Sequence, residues 1–160
     1  MSEHTAPVIR EVTMERVREV MRTFNVELSE PRQMEFQGAV VSGVNLNNFD
    51  VHFIVMGGYL LVRADHPTGE KTEDGDPGLF LAAHTVNSSS PLPKSVILDR
   101  TPELIVRTEV EMIIGAGMTD EQLHTYLGAA IDGVLEAQDK VAQVRAAYAQ
   151  QAGGAAPAGQ

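Results

Sequence analysis

The stretch of residues 103–122 constrains the fold more than any other part of this chain. Apolar and polar side chains alternate along its first half, which is typical of a strand with one buried face and one wetter face. A turn containing Gly115 and Gly117 follows, and Thr119 and Gln122 then have the spacing of a capping box at a helix start. The apolar set of the strand is Leu104, Val106, Thr108, Val110 and Met112. The stretch therefore predicts a strand, a tight turn and a capped helix, and it contains no catalytic motif.

Chain length and charge limit the classes of function. The 160 residues predict one domain, since this length suffices for one substantial core and hardly for two. Twelve basic residues against 22 acidic ones give a net charge of -10, which repels nucleic-acid backbones and anionic lipid surfaces. We therefore expect neither a nucleic acid nor a membrane as partner.

Cysteine content and hydrophobic runs indicate the compartment. There is no cysteine, so disulfides, thiol nucleophiles and thiolate metal sites are excluded. Apolar runs end well before bilayer length, and residues 1–12 contain no apolar segment typical of a secretory signal. These features predict a cytoplasmic protein.

The remaining elements follow from periodicity and turn residues. Thr13 can cap an amphipathic helix over residues 13–24, and Pro77 can open a short helix that ends at Asn87. Gly57-Gly58 predicts a two-residue hairpin, because both positions tolerate positive φ. The other predicted elements are strands at residues 39–44, 49–56, 59–66 and 94–98, and a long helix at residues 120–148.

This order, α-β-β-β-α-β-β-α, predicts an α+β fold in which a five-stranded antiparallel sheet packs with three helices on one face. We assign residues 13–148 to a single domain. Residues 1–12 form a lead-in, either with a helical turn opened by Pro7 or mobile, and residues 149–160 form a disordered tail rich in Ala, Gly and Gln.

Candidate chemistry is sparse, and we predict no catalytic residue, no cofactor and no metal. The nearest approach to a metal site is Asp50 with His52 on one strand face, joined by Asp65 or His66 from the hairpin partner. A polar, solvent-facing end of the sheet explains the same residues. Asp74-Gly75-Asp76 lacks the alternating donors and terminal glutamate of a calcium loop.

The face of the sheet away from the helices is the candidate interface. Strand alternation places apolar side chains at one end of this face and charged ones at the other. Contiguous exposed apolar patches often mark association sites, although the protein's own termini could cover this one. The candidate interface residues are Ile54, Met56, Tyr59, Leu61, Ile97 and Ile105.

Several segments between Val12 and about Gln143 form a pattern of their own. They are Val12-Thr13-Met14-Glu15-Arg16-Val17, Leu61-Val62-Arg63, Val86-Asn87, Pro91-Leu92-Pro93-Lys94, Val106-Arg107-Thr108-Glu109, and Gly117-Met118-Thr119-Asp120-Glu121-Gln122-Leu123. This pattern resembles the YbjN-like family of proposed bacterial sensory transduction regulators, although relatives commonly have aromatic residues where Val86 and Leu92 stand here. The resemblance implies a fold similar to type III secretion chaperones, often paired into dimers.

Two functions remain open at this point. The first is a non-enzymatic cytoplasmic regulator or chaperone-like adaptor that binds an unidentified protein partner and forms a homodimer. The second is a small-ligand or metal-binding sensor that uses Asp50, His52 and His66. A retained metal or metabolite would favour the sensor, and a dimer without a ligand would favour the adaptor.

Overall fold

A computed structural model of the protein describes residues 5–99 and 102–154. Its helices and strands follow one another in the predicted order, with a short strand added near the start and a 3-10 turn at Thr72–Asp74 before the second helix. The helices are α1 Met14–Thr23, α2 Gly78–Ser89 and α3 Asp120–Gly154; the strands are β1 Arg32–Gln33, β2 Val40–Leu46, β3 Phe49–Met56, β4 Tyr59–Pro67, β5 Lys94–Leu98 and β6 Ile105–Ile113.

The strands form one antiparallel sheet in the order β1-β2-β3-β4-β6-β5. The α+β class with three helices is confirmed, and the sheet has one strand more than the five predicted. The additional strand, β1, is only two residues long and pairs with β2. The hairpin between β3 and β4 turns through Gly57 and Gly58, whose φ angles are 50° and 88°, as the glycine pair predicts.

The described chain divides into two compact units, and both are discontinuous in sequence. The first contains residues 5–62 and 111–132, and the second contains the described residues of 63–110 and 133–154. The division falls within β4, β6 and α3. The single domain over residues 13–148 stays a prediction.

The core of the first unit lies between the apolar faces of its helices and strands. Helix α1 begins where Thr13 Oγ1 accepts a hydrogen bond from the Arg16 amide, as the sequence predicts. The apolar stripe of this helix is buried, and α1 contacts β2 and β3. The central buried side chains of this unit are Met14, Val17, Met21, Val51, Phe53, Leu123 and Leu127.

The described part of the lead-in, residues 5–12, contains no helical turn, which corrects that alternative, and it pairs with the first unit at Arg10. Arg10 and Met118 exchange two backbone hydrogen bonds of 3.1 and 2.9 Å. The buried Arg16 side chain donates to the carbonyls of Arg10, Glu11 and Met118 at 2.8, 2.7 and 3.0 Å. One guanidinium therefore joins α1 to both extended segments.

The core of the second unit packs α2 and α3 against β6, with two buried polar links from α3 to the strands. Thr108 Oγ1 donates to the Val134 carbonyl at 2.8 Å. Gln138 Nε2 donates to the carbonyls of Ala64 in β4 and Val106 in β6 at 2.9 and 3.0 Å. The buried apolar residues of this core are Leu79, Ala82, Val86, Leu104, Val106, Ala137 and Val141.

The connection from α2 to β5 is set by one side chain. Asn87, near the end of α2, donates from Nδ2 to the Ser95 carbonyl at 2.9 Å and accepts from the Ser95 amide at 2.7 Å. This paired contact uses both main-chain hydrogen-bonding groups of Ser95. It fixes the position of β5 next to the end of α2.

Helix α3 confirms the predicted start and corrects the predicted end. The Thr119 amide donates to Gln122 Oε1 at 3.0 Å, and the Gln122 amide donates to Thr119 Oγ1 at 3.1 Å, which is the capping box. The helix continues through Gly154, so residues 149–154 are helical and not part of a tail, because Ala and Gln favour helix and no proline stops it earlier. Residues 155–160 lie outside the described residues.

Candidate functional site on the outer side of the sheet

The two faces of the strands are distinguished by burial. In β3, Val51 and Phe53 are fully buried and lie on the side covered by α1. Successive side chains of a strand point to opposite faces, so Ile54 and Met56 lie on the other side, which we call the outer side. Both are partly accessible to solvent.

Within the first unit, five apolar side chains lie next to one another on the outer side. Val41 is directly opposite Ile54 in the β2–β3 pair. Met56 and Tyr59 flank the Gly57-Gly58 turn, and the Ile114 amide donates to the Gly58 carbonyl at 2.8 Å, which brings Ile113 beside Tyr59. We call this set, Val41, Ile54, Met56, Tyr59 and Ile113, the apolar patch.

The apolar patch is most exposed at the end where β4 begins and β6 ends. Ile113 is 80% exposed and Tyr59 is 46% exposed. Exposed apolar side chains are common singly, but a contiguous group of them indicates an association surface.

Of the six predicted interface residues, Ile54, Met56, Tyr59 and Ile105 lie on the outer side and are accessible. Leu61 also points outward but is only 6% exposed, because β4 is a central strand with neighbours on both sides. It is therefore not available to a partner.

Ile97 is on the wrong face for the predicted interface. It lies opposite Val106 in the β5–β6 pair, and directly opposed residues share a face. Since Val106 is in the buried core, Ile97 packs against that core as well. The outward apolar residues of β5 are instead Val96 and Leu98.

Sequence reasoning missed Ile113, the most exposed member of the apolar patch. The alternation of β6 continues one step beyond Met112, and residues 105, 107, 109, 111 and 113 share the outer side. Following the two-residue period to the end of the strand identifies Ile113.

Within the second unit, the outer side contains paired charges. Glu109 is buried, and its carboxylate accepts from Arg63 Nε at 2.5 Å and pairs with Lys94 Nζ at 3.0 Å. Arg107 forms two parallel hydrogen bonds of 2.8 Å to the Asp65 carboxylate. We call these five residues the ionic cluster. Their outward placement follows the predicted alternation, and each charge has a partner of opposite sign.

The ionic cluster changes the pKa of Glu109. Burial raises this pKa, but the hydrogen bonds and charges of Lys94 and Arg63 outweigh burial, so the pKa lies below its ordinary value. A lowered folded-state pKa stabilises the fold above the unfolded pKa of about 4.3. That stabilisation is lost as the pH falls through the folded pKa.

We therefore expect acid to destabilise the protein partly through Glu109. In urea unfolding from pH 7 to pH 3, the stability difference between the parent chain and Glu109→Gln should be constant above about pH 5 and shrink below it. A difference that stays the same over the whole range would contradict this role of Glu109. Comparing the two chains at each pH cancels the other carboxylates.

The residues of the metal alternative are engaged elsewhere or lie apart. Asp50 accepts a hydrogen bond from Asn45 Nδ2 at 3.1 Å, and the Asp65 carboxylate is bound by Arg107. His66 is exposed and lines a groove in the second unit. Among residues 5–99 and 102–154, no three His, Asp or Glu side chains come close enough together to hold a metal ion.

Comparison with solved structures identifies the fold. The crystal structure of YbjN from E. coli, described as a candidate transcription regulator, covers 90% of this chain and 96% of its own, with a TM-score of 0.63 and 12% sequence identity. The chain has a YbjN-like fold. No protein-family model matches it, and no curated protein shows significant sequence similarity to it.

The YbjN-like fold agrees with the fold expected from the sequence motifs, and at 12% identity the likeness concerns the fold alone. Within the described part of the chain, no helix combines the length and the apolar character that crossing a bilayer requires.

Proposed function

We propose that this protein is a non-enzymatic regulatory adaptor of the cytoplasm, which forms a homodimer through the apolar patch and acts on another protein. The observation that carries the proposal is the patch itself, above all the 80% exposure of Ile113 next to the 46% exposed Tyr59. A surface isoleucine exposed to this degree gains free energy when a partner covers it.

The YbjN-like fold supports a regulatory role, because the E. coli protein of this fold is described as a candidate transcription regulator. The net charge of -10 favours action on proteins over direct binding of nucleic acid.

A second copy of the chain is the occupant that the patch fits best. None of its five side chains is charged, so two copies can meet through apolar side chains despite their like net charges, provided that the exposed Glu111, beside Ile113 on the same side of β6, stays in contact with water. In a two-fold dimer the same patch contacts itself, and each exposed apolar residue is covered once on each copy.

Sedimentation equilibrium at micromolar concentration tests the dimer. We expect the parent chain to dimerise and Ile113→Glu to weaken dimerisation at least tenfold, because the new carboxylates would be buried without partners. Leu92→Glu is the matched control, since Leu92 is also exposed, at 52%, but lies outside the patch. A monomeric parent chain, or an Ile113→Glu variant that dimerises as well as the control, would rule the dimer out.

Affinity capture with crosslinking from the native cell tests the adaptor role. The parent chain and the Leu92→Glu variant should capture the same protein, with no detectable conversion of candidate metabolites by the purified chain. Capture of no protein by either chain, or turnover of a substrate, would contradict a non-enzymatic adaptor.

A further inference from the structure

A groove beside the C-terminal half of α3 belongs entirely to the second unit. Its volume is about 380 Å³, within the range of small-molecule sites. Leu79, Val106 and Val141 form a buried apolar floor, and the exposed alanines Ala142 and Ala146 stand at its rim. The groove is therefore open to solvent and lined mainly by apolar side chains.

Gln138 also lines this groove and leaves one polar atom unused. The residue is only 3% exposed, and both hydrogens of its Nε2 are donated to the carbonyls of Ala64 and Val106. Those acceptors fix the orientation of the amide, because a carbonyl oxygen cannot donate. The Oε1 atom accepts no hydrogen bond from any described residue. The described buried side-chain atoms that lack a partner do not include this Oε1, so it faces the open groove, where a donating ligand can take the place of water.

The charges at the groove also favour a ligand that donates hydrogen bonds. Arg145 donates to Glu70 at 2.8 Å and to Asp76 at 2.7 Å, so one guanidinium serves two carboxylates and a net negative charge remains. Arg145 and Glu70 both line the groove. The Thr68 hydroxyl already donates to the Leu104 carbonyl and accepts from the Glu70 amide. An acidic head group would be repelled here, and a donating or cationic one attracted.

We propose that this groove binds a small amphipathic molecule, with an apolar body on the floor and a hydrogen-bond-donating head group, such as a primary amine, at Gln138 and Glu70. Of the residues of the metal alternative, His66 lines this groove, whereas Asp50, His52 and Asp65 do not. The groove also lies outside the apolar patch, so it is independent of the proposed dimer. If the proposed adaptor function holds, binding of such a small molecule would regulate it.

Two fragments that share a ring and differ in the head group test this site. In ¹⁵N NMR titrations of the full chain, 2-phenylethylamine should give saturable shifts of the amides of residues 137–149 at millimolar concentration, as fragments of this size bind weakly. Phenylacetate should bind at least tenfold more weakly. Absence of saturable shifts, or equal binding of the amine and the acid, would overturn the proposal.

Substitutions on α3 locate the binding. Ala146→Leu places a larger side chain at the rim and should weaken amine binding at least tenfold without lowering the melting temperature. Ala147→Leu is the control, since Ala147 is exposed on the same helix and does not line the groove. Equal affinity in the two variants would place the amine elsewhere and overturn the site. The Ile113→Glu variant should bind the amine normally even if it no longer dimerises.

Discussion

Replacing Arg16 by methionine is expected to lower the free energy of unfolding by about 3 kcal/mol, since one buried and two part-buried hydrogen bonds from a charged donor are lost together with its ion pair to Asp120. Methionine has similar length but no donor. The carbonyls of Arg10, Glu11 and Met118 would then lack the partner that now approaches each of them within 3.0 Å. Urea unfolding of the two chains measures the loss.

The Arg16 variant also has a local signature. The amides of Arg10 and Met118 pair with each other's carbonyls, so their hydrogen exchange should accelerate more than that of the amides in β3. Arg22→Met is the control, because Arg22 lies on the same helix with its guanidinium largely in water. Its unfolding free energy should match that of the parent chain. If both variants were equally stable, Arg16 would not be the anchor of the extended segments.

Replacing Gln138 by leucine is expected to lower the free energy of unfolding by about 2 kcal/mol, because two strand carbonyls lose a buried donor. The change keeps the side chain's approximate size, so the loss reports the hydrogen bonds to Ala64 and Val106 and not a cavity. Gln143→Leu is the matched control, since Gln143 is exposed on the same helix. Equal stability of the two variants would show that the amide of Gln138 contributes nothing.

A second variant, Gln138→Glu, distinguishes the contribution of the hydrogen bonds from that of the side chain's shape. Gln138→Glu places a carboxylate against two carbonyl oxygens, which raises the pKa of the new side chain. The variant should therefore be destabilised at pH 7 and recover partly as the pH falls, because the protonated acid can donate once. Gln138→Leu should show no such recovery, and an identical pH profile for both variants would contradict the assignment.

Local sequence signals predicted the elements of this fold well. Thr13 and the pair Thr119 and Gln122 cap the helices as their spacing indicates, and the glycines of the β3–β4 turn adopt positive φ. Each of these features depends on residues within four positions of one another. Their physical cause is therefore visible in the sequence.

Features that depend on distant pairing could not be predicted in this way. Val96, Ile97 and Leu98 are consecutive apolar residues, so the two-residue period contains no signal, and only the register with β6 places Ile97 inside. In the same way, Leu60, Leu61 and Val62 are all buried, because β4 is central in the sheet. Strand β1 exists only through its pairing with β2.

The buried polar contacts were also beyond sequence reasoning. Arg16 lies 102 residues from Met118, and Gln138 lies 74 residues from Ala64. Each residue type is usually exposed, so composition favours a surface position for both. The groove beside α3 likewise combines a loop, two strands and two helices, and no motif spans these segments.

The contact between Asn87 and Ser95 has a consequence for the behaviour of the protein in a crowded cell. Strand β5 lies at the end of the sheet order, and the free backbone of such an edge can recruit a strand from another molecule and start aggregation. The amide of Asn87 occupies both main-chain groups of Ser95, so it substitutes for a neighbouring strand at this point. Asn87 thereby removes Ser95 from the backbone groups with which a foreign strand could pair, and the opposite edge strand, β1, is only two residues long.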